Sequence, residues 1–323
     1  MDLILLTGAT GFIGGHVARK LLNHDYNLRL YVRDRRRCPP DLEGVDVIEG
    51  DLLDPAVCER AVKGVHTIIH GAALTRARTI REFYRVNRDG SIGLYHAASR
   101  VPSCRRFVFL SSQAAAGPAR GDRPREETDP PEPLSHYGRS KLEAELELLS
   151  TPGPSVASLR LSAVYGPGDR EIFPFFQAAE RGWVPLPAPP SARLQLIHVE
   201  DAVDGVVLAA ENDCEGVFFL AHPEVHSYRS LISLLGKVSG KEPVVFPLPA
   251  WVVHSAAAIN AFLARSFHRT AIFNPGKARE LRARQWTCSI TKAQSMLKFS
   301  PRIQFESGAR DTLTWYRQQH WLH

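Results

Sequence analysis

Cysteine is too scarce in this chain to build a disulfide scaffold. The five cysteines (Cys38, Cys58, Cys104, Cys214, Cys288) are odd in number and show no C-x-x-C spacing. That argues against a disulfide framework or a cysteine-held metal and for a reducing, cytoplasmic setting. Long hydrophobic runs are also missing. None reaches the ~18 residues that cross a bilayer, and the longest candidate, Ala250 to Ala264, is interrupted by His254 and Asn260. No basic segment leads an apolar one behind Met1, so no secretory signal is expected. Charge of one sign is in small excess: 40 Lys and Arg against 34 Asp and Glu give a net +6. The arginine clusters at 35–37 and at 279, 282 and 284 read as solvated surface, and no nucleic-acid partner is expected. Internal repeats and low-complexity tails are absent from the sequence.

What is present is an ordinary globular composition, 44% hydrophobic and 23% charged over 323 residues. Short apolar runs alternate with helical patterns. The strand candidates are 2–6, 28–32, 45–48, 67–70, 107–110 and 156–159, with helices such as 13–22 and 55–62 between them. The alternation predicts an α/β fold, a doubly wound parallel sheet covered on both faces, with ligand beyond the carboxyl ends of the strands. In the second half, strands are expected at 194–198 and 217–220. Helices are expected at 200–210, 228–238, 249–264, 275–282, 291–297 and 306–318. The Pro- and Gly-rich stretch 117–133 is long for a compact domain and reads as a lid.

The first apolar run leads straight into Thr7-Gly-Ala-Thr-Gly-Phe-Ile-Gly14. Strand, glycine turn and helix start within fourteen residues make a phosphate site. Glycine permits close backbone approach, and the helix N-terminus adds roughly half a positive charge. Gly8, Thr10, Gly11, Phe12, Ile13 and Gly14 are its cofactor-binding candidates. Further on, Tyr137 and Lys141 are four residues apart at the start of a helix, hence on one face. A nearby ammonium is expected to lower the phenol pKa from ~10 and make Tyr137 a proton carrier. The fifth strand ends in Ser111-Ser112, which offers a hydroxyl where a reactant would lie. The fourth ends in His70-Gly-Ala-Ala73, which leaves room for a flat ring.

With these pieces in order, the chain resembles the extended short-chain dehydrogenases/reductases, the NAD-dependent epimerase/dehydratase group. Further matching segments are Gly50-Asp-Leu52, Val86-Asn87, Arg160 to Asp169 and Ile197-His-Val-Glu-Asp201. The resemblance implies a Rossmann-like domain at 1–168, with 194–222 returning to it, and a smaller mixed α/β substrate lobe at 169–193 and 223–323. It implies catalysis by Ser112, Tyr137 and Lys141, with Lys141 also holding the nicotinamide ribose. Asp51 and Leu52 would flank the adenine, and Ala72 would line the nicotinamide path. Asn87 is either a relay or a packing residue. A homodimer is implied, paired through helices at 87–98 and 137–149.

Cofactor choice rests on Val32-Arg33-Asp34. Asp34 lies where an acid would bind a ribose 2′-hydroxyl, yet the aligned strand-end position is Arg33, which suits a 2′-phosphate. NADP(H) is therefore preferred, with NAD(H) open. Dehydration is disfavoured, because Gln113 and Ala114 follow Ser112 where dehydratases of this kind place an acid pair. The position where nucleotide-sugar epimerases carry a diphosphate-gripping arginine falls on Leu194, with Arg193 one residue off and so on the opposite strand face. The expectation is an NADP(H)-preferring oxidoreductase interconverting a secondary alcohol and a ketone of a small-molecule substrate. A nucleotide-sugar epimerase and a non-catalytic NADP-sensing protein remain open as alternatives. No metal is expected.

Overall fold

A computed structural model describes residues 2–266, 270–271 and 273–322. The first half runs β1 (Leu3–Thr7), α1 (Phe12–Asn23), β2 (Asn27–Val32), β3 (Asp46–Glu49), α2 (Pro55–Val62), β4 (Thr67–His70), α3 (Ile80–Phe83), α4 (Gly90–Ser99), β5 (Arg106–Ser112), α5 (Gln113–Ala116), α6 (His136–Ser150) and β6 (Ser155–Leu161). The second half runs β7 (Ala163–Tyr165), α7 (Phe173–Glu180), β8 (Trp183–Leu186), β9 (Arg193–Leu194), β10 (Leu196–His198), α8 (Val199–Glu211), β11 (Gly216–Leu220), β12 (His226–Ser227), α9 (Tyr228–Ser239), β13 (Val244–Pro247), α10 (Ala250–Ser266), α11 (Pro275–Arg282), β14 (Gln285–Trp286) and α12 (Phe305–Gln318).

Seven strands form one sheet in the order β11-β6-β5-β4-β1-β2-β3, and every pairing is parallel. The central strands are apolar on both faces because helices cover both. On one side Val17, Ala18 and Leu21 of α1 meet Val203 and Val206 of α8. On the other, Val57 and Ala61 of α2, Leu94 and Ala98 of α4, and Ala144 and Leu148 of α6 form a second core. Chain order reverses between β1 and β4, which opens a crevice at their carboxyl ends. A third core, with Phe176, Leu231, Ile232, Phe305 and Tyr316, belongs to α7, α9 and α12 beside the sheet.

Two sequence expectations fail here. The strand expected at 194–198 is two strands in two different sheets, since β9 pairs with β12 and β14 while β10 pairs with β7. The break is Gln195. Its amide donates to the His222 carbonyl (3.0 Å) and its side-chain oxygen accepts from the Cys288 amide (2.6 Å), which turns the chain from one sheet to the other. The stretch expected to be a lid is a strap. The Ala119 amide donates to Gln285, the Arg125 amide to Thr287, the Ser289 amide to Arg125 and the Glu132 amide to Ala116. Buried Arg125 adds a side-chain bond to the Pro118 carbonyl at 2.7 Å. A segment so bonded has little freedom to open.

Candidate active site

The glycine turn is tight because the sequence removed every Cβ that would block it. Gly8 has φ +85°, and a Cβ there would be 2.6 Å from the Gly71 carbonyl carbon; a Cβ on Gly14 would be 2.2 Å from the Gly8 oxygen. The Gly11 amide closes the turn on the Gly8 oxygen at 2.9 Å. Gly11 caps α1 without a side-chain bond, so the first amides of the helix face the cavity with no side-chain acceptor. Behind the turn, Thr7 Oγ1 lies 2.7 Å from His70 Nδ1 and accepts from the Ala72 amide (3.0 Å), while His70 Nε2 lies 2.8 Å from Ser91 Oγ. Burial, helped by Lys141, depresses the His70 pKa to about 3, so the ring is a neutral structural strut.

A cavity of about 1620 Å³ runs from this turn to Ser112, Tyr137 and Lys141. Gly8, Thr10, Gly11, Phe12, Ile13 and Gly14 all line it. Tyr137 and Lys141 arrive together on α6, which is capped by Ser135 through the Gly138 amide (3.0 Å). Ser112 arrives on β5, and its Oγ also accepts from the Ala114 amide at 3.1 Å. Lys141 is 1% exposed, with Nζ 3.9 Å from the Phe109 ring centroid. Burial lowers its pKa to about 7, against a smaller raising effect of Glu145. Tyr137 does not have the lowered pKa expected from the sequence. Burial pushes it up to about 12, and a hydrogen bond with Ser112 offsets part of the rise. Desolvation is the largest cause of the shift in both groups.

The other expected contacts divide. Arg33, Asp51, Leu52 and Ala72 do not line the cavity. Arg33 is exposed beyond β2 with no hydrogen-bond or ion-pair partner among the described residues. Asp34 caps the turn 35–37 and holds Arg36 at 3.0 and 3.1 Å, which lowers its carboxyl pKa and occupies both oxygens. Asp51 accepts from the Leu53 amide, and Leu52 packs near Gly90 of α4. Asn87 is fully used, accepting from the Leu74 amide (2.7 Å) and donating to the Leu74 carbonyl and Ser140. It pins the loop after β4 to α6. Arg76, in the loop after β4, lines the cavity and is paired with Glu171 at 2.7 Å.

Several groups without a role in the sequence reading stand at the site. Ser111 and Ser162 line the cavity with buried hydroxyls that have no partner among the described residues. Unpaired buried hydroxyls beside a glycine turn of this shape fit a polar, ring-bearing dinucleotide. Asp169 borders the same cavity and accepts from the Glu171 and Ile172 amides at 2.7 and 2.8 Å, while burial raises its carboxyl to about 6. A second cavity of about 220 Å³ begins at Ser112 and Tyr137 and is walled mostly by apolar groups such as Phe175, Leu194, Leu231 and Trp286. Its cation, Lys277, is 3.6 Å from Glu280. Glu280 in turn accepts from Ser135 Oγ at 2.5 Å across 145 positions of sequence. No local pattern marks Glu280, because its partner is supplied only by folding. Among the described residues no group of three or more His, Cys, Asp or Glu is placed to hold a metal, and no helix is long and apolar enough to cross a membrane.

Comparison with known proteins adds lineage to this geometry. The profile of the NAD dependent epimerase/dehydratase family matches residues 4–220. The chain is 32% identical over 325 residues to a ceramide reductase of Caulobacter vibrioides, covering 99% of this chain and 96% of that protein. It is 26% identical over 349 residues to a decarboxylating sterol-4-alpha-carboxylate 3-dehydrogenase of Schizosaccharomyces pombe, covering 98% and 97%. Among solved structures, MoeE5 in complex with UDP-glucuronic acid and NAD matches with a TM-score of 0.80 at 27% identity, covering 99% of this chain and 100% of that one. Such coverage, joined to a glycine turn and a catalytic-type helix on one parallel sheet, has one reading: this chain belongs to the NAD dependent epimerase/dehydratase family, a family of nicotinamide-dependent enzymes.

Proposed function

We propose that this chain is an NADP(H)-preferring oxidoreductase that reduces a carbonyl of a largely apolar substrate to a secondary alcohol, and catalyses the reverse. The observation that carries it is the apolar cavity of about 220 Å³ opening at Ser112 and Tyr137. The relatives named for ceramide and sterol substrates support the same substrate class. When bound, the nicotinamide supplies or accepts the hydride. The glycine turn and the N-terminus of α1 would hold its diphosphate, Lys141 its ribose, and the unpaired hydroxyls of Ser111 and Ser162 would meet its polar atoms. Ser112 orients the substrate oxygen. Tyr137 Oη carries the proton. With its pKa pushed up to about 12, Tyr137 is a protonated donor at neutral pH, which suits carbonyl reduction.

Arg33, unpaired at the end of β2, supports the preference for a 2′-phosphate, helped by Arg35 and Arg37. Residues 1–168 and most of 194–222 serve as the dinucleotide-binding unit, and the remainder as the substrate lobe. Exposed Leu146 and Leu149 on α6 support a homodimer through α4 and α6. Five free thiols support a reducing, cytoplasmic location. A nucleotide-sugar epimerase needs a free cation to grip a diphosphate in the substrate cavity. Leu194 lines that wall, Arg193 faces out, and Lys277 is engaged by Glu280.

The test is net NADPH consumption by the purified protein with a long-chain ketone. Tyr137→Phe is expected to cut kcat about 10²- to 10⁴-fold while NADPH binding survives. Arg33→Ala is expected to raise KM for NADPH far more than for NADH. Release of tightly held NAD on denaturation, together with sugar-nucleotide isomerisation and no net redox change, would replace this reading with the epimerase one.

A further inference from the structure

From Pro243 to Ala264 the chain contains no Asp, Glu, Lys or Arg, although much of that stretch is on the surface. In α10, at about 100° per residue, Trp251, Ile259 and Leu263 fall on one side, and Val253 and Ala257 on the other. The second side is buried against Ala278 of α11. The first is not: Trp251 is 70% exposed, Ile259 59% and Leu263 47%. β13 leads directly into α10 and continues the apolar surface. Val244 and Phe246 project outward from it, and Phe246 meets Trp183 of the paired strand β8 edge to face at 6.5 Å. Isolated exposed apolar residues need no explanation, but two tryptophans, a phenylalanine and three aliphatics on the paired strands β8 and β13 and on the helix that follows β13 do.

Exposed cations border the large cavity next to this helix. α11 packs on the buried side of α10, and its exposed Lys277 and Arg279 line that cavity, Lys277 3.6 Å from Glu280, while Arg282 donates to the Pro187 and Leu248 carbonyls. Exposed Lys241 and Glu242 precede the charge-free stretch and offset each other. The face also joins the active site, since Ala261 and Ala264 of α10 line the large cavity that leads to Tyr137. α10 is too short to cross a bilayer. An apolar face with interfacial tryptophan, next to a cavity bordered by exposed cations, is the chemistry of a helix lying in the headgroup layer.

We propose that β8, β13 and α10 form a surface that docks on an anionic lipid bilayer and sets the mouth of the active-site cavity at the membrane. The docking surface stands on its own observations. Its role in delivering substrate rests on the oxidoreductase reading above. A lipophilic carbonyl compound would then pass from the bilayer along α10 to Tyr137 without crossing water.

Vesicle flotation tests the surface. The whole protein is expected to float with vesicles of equimolar phosphatidylcholine and phosphatidylglycerol, and about tenfold less with phosphatidylcholine alone. The triple variant Trp251→Glu, Ile259→Glu, Leu263→Glu is expected to remain in the soluble fraction. It should keep wild-type turnover of a short, water-soluble ketone, since none of the three lines either cavity, while losing turnover of a vesicle-borne long-chain ketone. If the triple variant misfolds, Trp183→Phe with Trp251→Phe serves instead: brominated phosphatidylglycerol should quench the wild-type fluorescence strongly and the double variant much less. Wild-type protein that does not float, or a triple variant that floats unchanged while a wild-type dimer falls to monomers, overturns the proposal. Flotation without NADPH turnover of either ketone leaves the docking surface standing and sinks the oxidoreductase reading.

Discussion

Lys141 shows what one residue gives up for its position. Its ammonium is buried over Phe109, and on the same ring His70 stacks with centroids 5.9 Å apart. Holding a cation there is costly, which is why its pKa falls to about 7. An unfolded chain would hold that proton up to ~10.4. The folded pKa is the lower one, so the penalty is full below about 7, shrinks as pH rises and vanishes near ~10.4. Lys141→Met is therefore expected to stabilise the unliganded protein at neutral pH by a few kcal/mol, since a tenfold change in proton affinity is worth ~1.4 kcal/mol. The gain in Tm should fade as the medium is made more alkaline in a series of thermal melts, while activity is lost at every pH. A Tm gain that is flat with pH would show that Lys141 is not the strained group. The residue types at this centre were legible from the Tyr137–Lys141 spacing, the serine at the end of the fifth strand and the family resemblance. Their protonation was not, because the pKa of Tyr137 follows from enclosure by parts of the chain remote in sequence.

Helices are where sequence reading works best, and the exceptions are instructive. α2 and α11 have the expected bounds, since Pro55 and Pro275 follow capping Asp54 and Asn274 and fix the first turn. The strand expected at 194–198 broke at Gln195 because that side chain bonds two backbone groups from other elements, and no local pattern carries such a bond. The link between α11 and α6 is of the same kind. Ser135 caps the helix bearing Tyr137 and also donates to Glu280, so α11 is held over the substrate cavity. Glu280→Ala is expected to raise KM for the ketone several-fold with little change in kcat, and to cost about 1 kcal/mol of stability. Glu280→Gln, which keeps an acceptor, should restore most of both. A fall in kcat matching that of Tyr137→Phe, with KM unchanged, would make Glu280 part of the proton path instead. Steady-state kinetics on the two variants separate these outcomes.

Among the described residues, two surfaces are exposed and apolar, and a different partner is proposed for each. Leu146 and Leu149 lie on the outer face of α6, 55% and 38% exposed, remote in sequence from the charge-free stretch of α10. Sedimentation at micromolar concentration is expected to show a dimer, and Leu146→Glu with Leu149→Glu to give a monomer that still binds NADPH. A wild-type monomer would remove the proposed pairing. The sequence by itself determined the parallel sheet and the position of the glycine turn, because both depend on contiguous signals: apolar runs, glycines and a helix period within a few turns of one another. It also put Ser112, Tyr137 and Lys141 at the ends of neighbouring elements. Only the tertiary structure decided that the Pro-rich stretch is a bonded strap, that an apolar cavity adjoins Tyr137, and that α10 leaves one face uncovered. Those outcomes depend on which distant groups exclude water from which others, and burial is a property of the folded chain as a whole.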